Sequence, residues 1–483
     1  MLARNCHPCR TALTVQRHHG GVTGPVASAL VAGDLLTLTV GEAVHGGWCV
    51  ARPDEADGAG DRAGLVIFVR HALPGERVRA VVTQTTARFA RADAAEILRP
   101  APERVSPPCP HARPGGCGGC DWQHASLPAQ RELKALIVSQ QLRRIAGIDR
   151  AVTVEPLPGD AGGLGWRTRV RFTVGRDGLA GLHQHRSHEI VRVGDCLIAH
   201  PAVTEAAVTR QRWPGARSVD VTVAPATGER VVVAQGGGRH ESGQRFLTQR
   251  AAGRDWRVAA SGFWQVHPGA ADALANAVLA ALRPAPGEIA LDLYCGAGLF
   301  AGVLAEAVGP DGAVVGVEQD SVAVRDARHN LRSTPWARVQ RGDAAEVLAR
   351  TGLFGASIAV LDPPRTGLDR ALIEALTGSQ PAVDEPGAVE PGAVEPGAVK
   401  PGAVAPGAEG PDVRAPGVAA PAVAAAAAGL RRIAYVSCDP ATLARDLAAF
   451  AQRGWRLDAL RAFDAFPMTH HVECLATLAP EAG

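Results

Sequence analysis

The 483-residue chain is poor in aromatic volume: phenylalanine, tryptophan and tyrosine make up 4% of it, and only two methionines are present. Its core must therefore be filled by aliphatic side chains, which a hydrophobic content of 46% allows. The chain also lacks an excess of either charge. A net charge of +2 excludes a globally basic surface, so any polyanion must be met by a local patch. No stretch of about twenty apolar residues escapes interruption by proline or glycine, so no membrane span is expected. Residues 1–21 lack the apolar centre of a signal peptide. Ten cysteines without a secretion signal argue for a reducing, cytoplasmic setting, where clustered thiols serve metals or chemistry more often than disulfides. The length suits two to four domains of about 100–200 residues each.

Residues 1–24, which include Cys6, His7 and Cys9, read as a disordered tail. Residues 25–100 read as all-β: Asp34–Val40, Leu65–Arg70 and Arg77–Thr83 are β-rich runs bounded by turn residues. Pro74-Gly75 marks a turn between two of them. With Gly41-Glu42-Ala43-Val44 and Arg88-Phe89-Ala90-Arg91-Ala92, the segment resembles a TRAM domain. That resemblance implies a small OB-like RNA-binding barrel, with Arg79, Arg88 and Arg91 as phosphate contacts.

Residues 101–255 read as a mixed α+β central domain. Cys109, Cys117 and Cys120 form a C-x7-C-x2-C array threaded with glycines, and Cys196 is the candidate fourth ligand. Three clustered thiols with one remote form an iron–sulfur-like layout, with zinc as the alternative. Arg131 to Ile145 has helical periodicity. In Trp166–Phe172 a period of two puts Arg167, Arg169 and Arg171 on one strand face, as a phosphate-binding stripe or an ordinary solvated face.

Residues 256–483 alternate strands and helices. Ile289–Tyr294 is a strand, Cys295-Gly296-Ala297-Gly298 a tight turn, and Leu299–Val308 a helix: the opening of a Rossmann-like sheet. Its D-x3-G-x-G spacing differs from the dinucleotide fingerprint. Further strands end in Glu318 and at Asp343, and a fourth runs into Asp362-Pro363-Pro364-Arg365. Residues 380–428 repeat a Pro-Gly-Ala-Val unit and read as a disordered low-complexity insert. The strand Ala434–Ser437 then delivers Cys438-Asp439-Pro440 to the carboxyl edge of the sheet, where α/β proteins do their chemistry. A thiol there is a candidate nucleophile. Glu473, an acid within an apolar strand, is a candidate base.

The acids in series resemble class I S-adenosylmethionine methyltransferases. Asp362-Pro363-Pro364-Arg365, Ser437-Cys438-Asp439-Pro440 and His471-Val472-Glu473, in that order, resemble the RNA uracil-C5 methyltransferase family, as does Phe263-Trp264-Gln265-Val266-His267. Exocyclic-amine enzymes place an aromatic where Arg365 stands, and cytosine-C5 enzymes carry a cysteine that this loop lacks. The resemblance implies an α/β Rossmann-like class I methyltransferase domain behind the barrel and the central domain. It implies Cys438 as nucleophile and Glu473 as base. Gln265, Tyr294, Glu318, Asp343 and Asp362 would bind S-adenosyl-L-methionine. Cys109, Cys117, Cys120 and Cys196 would hold a [4Fe–4S] cluster. The implied partner is RNA, with 23S rRNA favoured over tRNA, met by a monomer. A non-catalytic RNA-binding protein with a degenerate methyltransferase domain is the competing class.

Overall fold

The computed structural model describes residues 30–53, 65–236, 240–378 and 429–481. The expected tail at 1–24 and the 380–428 insert lie outside these residues.

Five strands close a barrel: β1 (Leu35–Val44), β2 (Trp48–Pro53), β3 (Val66–Arg70), β4 (Arg77–Thr85) and β5 (Phe89–Arg99), in the order β1-β2-β3-β5-β4. Alternation along β1 turns Leu36, Leu38 and Val40 inward, and a register shift between Val40 and Ala43 lets Ala43 rejoin the core. Pro74-Gly75 does form a turn, but the strands that flank it do not pair: β3 lies between β2 and β5.

A long loop carrying three of the cysteines leads to α1 (Leu127–Gln141), capped by Ser126 with Pro128 in its first turn. Then come β6 (Val154–Pro156) and β7 (Arg169–Val174), β8 (Ala180–His183) and β9 (Ile190–Val191). A one-turn helix, α2 (Pro201–Thr204), precedes β10 (Ser218–Ala224), β11 (Glu229–Gln235) and β12 (His240–Ser242). All but β6 form one sheet, β12-β11-β10-β7-β8-β9, and β13 (Phe246–Ala251) with β14 (Arg254–Ala259) makes a separate hairpin.

After α3 (Ala270–Leu282) the parallel sheet begins with β15 (Ile289–Leu293), α4 (Leu299–Val308), β16 (Ala313–Glu318), α5 (Ser321–Asn330), β17 (Ala337–Arg341) and α6 (Ala344–Thr351). It continues through β18 (Ile358–Leu361), α7 (Arg370–Thr377), β19 (Arg432–Ser437), α8 (Pro440–Ala451), β20 (Trp455–Asp464) and β21 (Glu473–Pro480). The order is β17-β16-β15-β18-β19-β21-β20-β6, with β21 antiparallel to its neighbours. β6 extends the sheet in parallel beside β20, so a strand from the segment before the hairpin completes it. Near-continuous apolar strands such as Ile358–Leu361 and Ile433–Val436 are buried on both faces, as parallel strands between helix layers must be. The strand order reverses between β15 and β18. Their carboxyl ends open the crevice where such sheets bind ligands.

Candidate active site

Four carboxyl groups converge on that crevice. Asp292 is the buried last residue but one of β15. Its Oδ2 accepts from Ala301 N–H at 2.6 Å, and its Oδ1 is buried with no partner among the described residues. Burial pushes its carboxyl up to about 8; the Ala301 N–H pulls the other way, and negative Asp362 and Glu318 add to the rise. Glu318, at the tip of β16, accepts from Gly296 N–H at 3.0 Å and from Asp320 N–H at 2.8 Å. Asp362 follows β18, and burial raises it to about 7. Tyr294 adopts a left-handed φ of 67° as the chain leaves β15, and its N–H donates to Val317 O. That leaves Gly296 facing open space, where an added Cβ would meet nothing. Asp343 caps α6, its Oδ1 accepting from Ala345 and Glu346, and its charge reaches Tyr294. Gln265 is buried in the loop between β14 and α3, without a hydrogen bond to these acids.

Cys438 stands half-buried between β19 and α8. Asp439 caps α8 through bonds to Ala441 and Thr442, which fixes the turn that presents the thiol. Burial, and then the Glu473 charge, push the thiol up to about 11; Arg365 opposes them by charge and hydrogen bond. Glu473 opens β21, opposite Phe463, and is buried. Burial holds its carboxyl well above the ordinary range, Asp362 adds to this, and Arg365 again opposes. The fold thus brings together Cys438, Glu473, Asp362 and Arg365 from three loops at one sheet edge. Phe263, 63% exposed, offers an aromatic face to solvent.

The four predicted metal ligands also meet. Cys109, Cys117, Cys120 and Cys196 line one cavity of about 250 Å³ together with Arg167 and Asp195. All are free thiols. Among the described residues no set of three or more His, Cys, Asp or Glu side chains stands in metal-holding geometry. The loop is nonetheless built tightly. A Cβ on Gly116 would fall 2.1 Å from His111 O, and one on Gly118 2.6 Å from His185, so both glycines are required where the turn folds back. Burial, first, raises the Cys117 and Cys196 thiols, and the thiols add to one another's rise.

The expected arginine stripe is not a free phosphate face. Arg169 donates to Gly262 O and Ala260 O, Arg171 is bidentate to Asp220, and Arg167 turns to the cysteine cavity. Arg79 of the barrel is paired with Glu96 at 2.7 Å. Sequence reasoning missed Arg186 and Trp48: Arg91 and Arg186 lie 5.5 and 5.7 Å from the same indole, and no carboxylate pairs with either among the described residues. It also missed the His470-His471 pair, and it read Asp292 as the acid of the D-x3-G-x-G turn without its burial.

A family model described as tRNA (Uracil-5-)-methyltransferase matches residues 417–480, and a TRAM domain model matches residues 32–95. A model described as protein-L-isoaspartate(D-aspartate) O-methyltransferase matches residues 269–347, the first half of the parallel sheet. An uncharacterized RNA methyltransferase of Streptomyces avermitilis is 42% identical over 93% of this chain and 99% of its own. Another from Streptomyces coelicolor is 42% identical over 97% and 98%. The structure of Pyrococcus abyssi tRNA (uracil-54, C5)-methyltransferase covers 92% of this chain and 99% of its own at 21% identity, with a TM-score of 0.62, and shares the fold. With its barrel, its methyltransferase sheet and these relatives, the chain belongs to the RNA (uracil-5-)-methyltransferase family and is an RNA methyltransferase.

Proposed function

We propose that this protein methylates C5 of a uridine in structured RNA through a covalent adduct at Cys438. The observation that carries the reading is the meeting of Cys438, Glu473 and Arg365 beside the acid-lined crevice. The crevice fits S-adenosyl-L-methionine. Asp292 Oδ1 is buried and unpartnered, and the negative Asp362 and Glu318 add to the cost of ionising Asp292, so a bound cation relieves both. When bound, that cofactor supplies an electrophilic methyl on a positively charged sulfur.

Uracil C5 is a poor nucleophile. Addition of the Cys438 sulfur to C6 makes an enolate and turns C5 into a competent one. Arg365 favours the thiolate that must attack. After C5 is methylated, Glu473 takes the C5 proton, and the electrons of that C–H bond expel the thiolate. Glu473 must be ionised for this, and Arg365 is again the charge that favours that form. A uridine in paired RNA must leave its stack, and we assign exposed Phe263 as the aromatic that receives it.

The cysteine cavity gathers four soft donors beside the Arg167 charge, and we assign them to a [4Fe–4S] cluster ahead of zinc by the layout of three clustered thiols and one remote. Cys109, Cys117, Cys120 and Cys196 would hold it. The reaction has no redox step, so its part there is to order the loop. Iron and acid-labile sulfide in anaerobically purified protein are the expected finding; zinc alone would overturn it. We further assign the protein to the cytoplasm as a monomer, with 23S rRNA as substrate ahead of tRNA.

The test is incubation with methyl-labelled cofactor and separated rRNA and tRNA, followed by nucleoside analysis. Labelled 5-methyluridine in rRNA is expected from the wild type and none from Cys438→Ala. Its absence from both RNA classes would sink the assignment, and an active Cys438→Ala would sink the covalent mechanism.

A further inference from the structure

A buried polar network centres on Asp121, the residue after Cys120. Its Oδ2 accepts from His470 Nδ1 at 2.7 Å and from the His470 N–H at 3.3 Å, and its Oδ1 accepts from Arg70 Nη2 at 3.5 Å. The backbone N–H groups of Asp121 and Trp122 donate to Met468 O at 3.0 and 3.1 Å. The barrel presses from the other side: a Cβ on Gly47 would stand 3.0 Å from the Asp121 side chain. One carboxylate therefore touches the barrel, the cysteine loop and the loop that leads into Glu473.

The contacts continue to the nucleophile. The His470 and His471 rings lie 4.1 Å apart, and Arg365 Nη2 approaches His471 Nε2 at 3.3 Å. Arg365 is the positive group that faces Cys438. Met468, at the apex of the same loop, holds a left-handed φ of 68°, with its N–H on Gln130 Oε1 at 2.7 Å. A non-glycine residue keeps such a conformation only where its surroundings over-determine it. An acid that merely satisfied a buried donor would need one partner. Asp121 instead ties three segments, two of them about 350 residues apart in sequence.

We propose that Asp121 is a positioning residue for methyl transfer: it fixes His470, and through the His470–His471 ring contact it fixes Arg365 against Cys438. An ordered cysteine loop and a docked barrel thereby become conditions for an ordered nucleophile. This rests on the reading of Cys438 as the attacking group.

Two readouts test it on the full-length protein. One is the rate of Cys438 alkylation by iodoacetamide, followed by peptide mass spectrometry, which needs no RNA. The other is kcat and KM on the RNA fraction that the wild type methylates. Asp121→Ala and His470→Ala should each lower kcat on the order of tenfold, because small misplacements of reacting groups are costly, with KM for RNA within about twofold. Cys438 alkylation should slow about threefold or more, as expected for a thiol that loses its stabilising cation. Asp121→Asn should recover most of the loss, since its carboxamide oxygen still accepts from His470. The double variant should be no worse than the worse single one, the mark of residues acting in one chain. A loss confined to KM, multiplicative losses in the double variant, or unchanged alkylation would overturn the proposal. His470 is partly exposed, so its truncation keeps the test open if Asp121→Ala does not fold. A wild type that makes no methylated uridine would remove the nucleophile reading and this inference with it, whereas an active wild type with unaffected variants removes only this inference.

Discussion

Asp292 is buried, its Oδ1 lacks a partner among the described residues, and its carboxyl is pushed up to about 8 while Asp362 is pushed to about 7. Both folded values lie above the ordinary 3.8 of the unfolded chain, so the folded state holds these protons more tightly. Their contribution to stability is full below about pH 4 and is lost as pH rises towards 7 and 8. The cofactor-free protein should therefore melt at a lower temperature at pH 8 than at pH 5. Each pKa unit retained is about 1.4 kcal/mol, which is a few degrees in Tm for a domain of this size. In Asp292→Asn the fall should be shallower, because the amide cannot ionise. Calorimetry on wild type and variant at both pH values checks this; parallel slopes would show that Asp292 is not the titrating group. In the same range, affinity for a cationic ligand should rise with pH as the acid ionises. The acids were legible as strand-terminal residues, but the shared burial that couples them was not, because it follows from the order β16-β15-β18 and not from any local pattern.

Helix α1 shows what local pattern can and cannot convey. Its periodicity announces a helix, and the structure supplies one with Ser126 as cap. Nothing in that period says that Lys134, fully buried, donates from Nζ to Asp464 at 2.5 Å and to Phe466 O at 3.0 Å, so that the helix grips the stem of the loop leading to Glu473. The parallel strands were readable because burial on both faces leaves an unbroken apolar run, and Cys438 because such a run ends in it. The arginine alternation in β7 was equally visible, yet its meaning depended on Asp220 of the neighbouring strand and on carbonyls after β14. A period of two fixes a face but not what lies across from it. For α1, Lys134→Met should cost about 3–5 kcal/mol, because Asp464 would stay buried with only Arg131 at 3.9 Å. Adding Asp464→Asn should recover a substantial part, since the uncompensated charge is then gone. Urea unfolding of the single and double variants measures both. A double variant as unstable as the single one would mean that packing, not charge, sets the cost.

Across the whole molecule, net charge is nearly balanced, so RNA must be held where arginines escape pairing. The ion pairs decide where that is. Arg79, Arg169 and Arg171 are spent on Glu96, backbone carbonyls and Asp220. Arg91 on the barrel, whose Nη1 donates to the Gln84 carboxamide, and Arg186 beyond β8 meet no carboxylate among the described residues: both stand over Trp48 at the seam between barrel and central sheet, and Arg88 on the barrel is exposed. Arg70 also lies 5.8 Å from that indole but is held by Asp121; the Arg91 and Arg186 guanidinium groups repel each other there, and a phosphate between them would relieve that repulsion. Arg91→Ala and Arg186→Ala should therefore each weaken RNA binding and lower the slope of log K against log salt by about 0.7, the value for one phosphate contact on a single strand. Arg171→Ala should leave the slope unchanged, and Arg169→Ala should lower thermal stability instead, because it strips two carbonyls of their donor. Anisotropy titrations of the methylated RNA across a salt series separate the two groups. Equal slope changes in all four variants would place the phosphate path along β7 and not at the seam. A seam placement has a mechanical consequence, because the same barrel edge carries Arg70 and the Gly47 turn that bear on Asp121. RNA held at Arg91 and Arg186 would then press the barrel onto Asp121, the residue proposed to order Cys438, so losing the seam contacts should depress kcat as well as affinity.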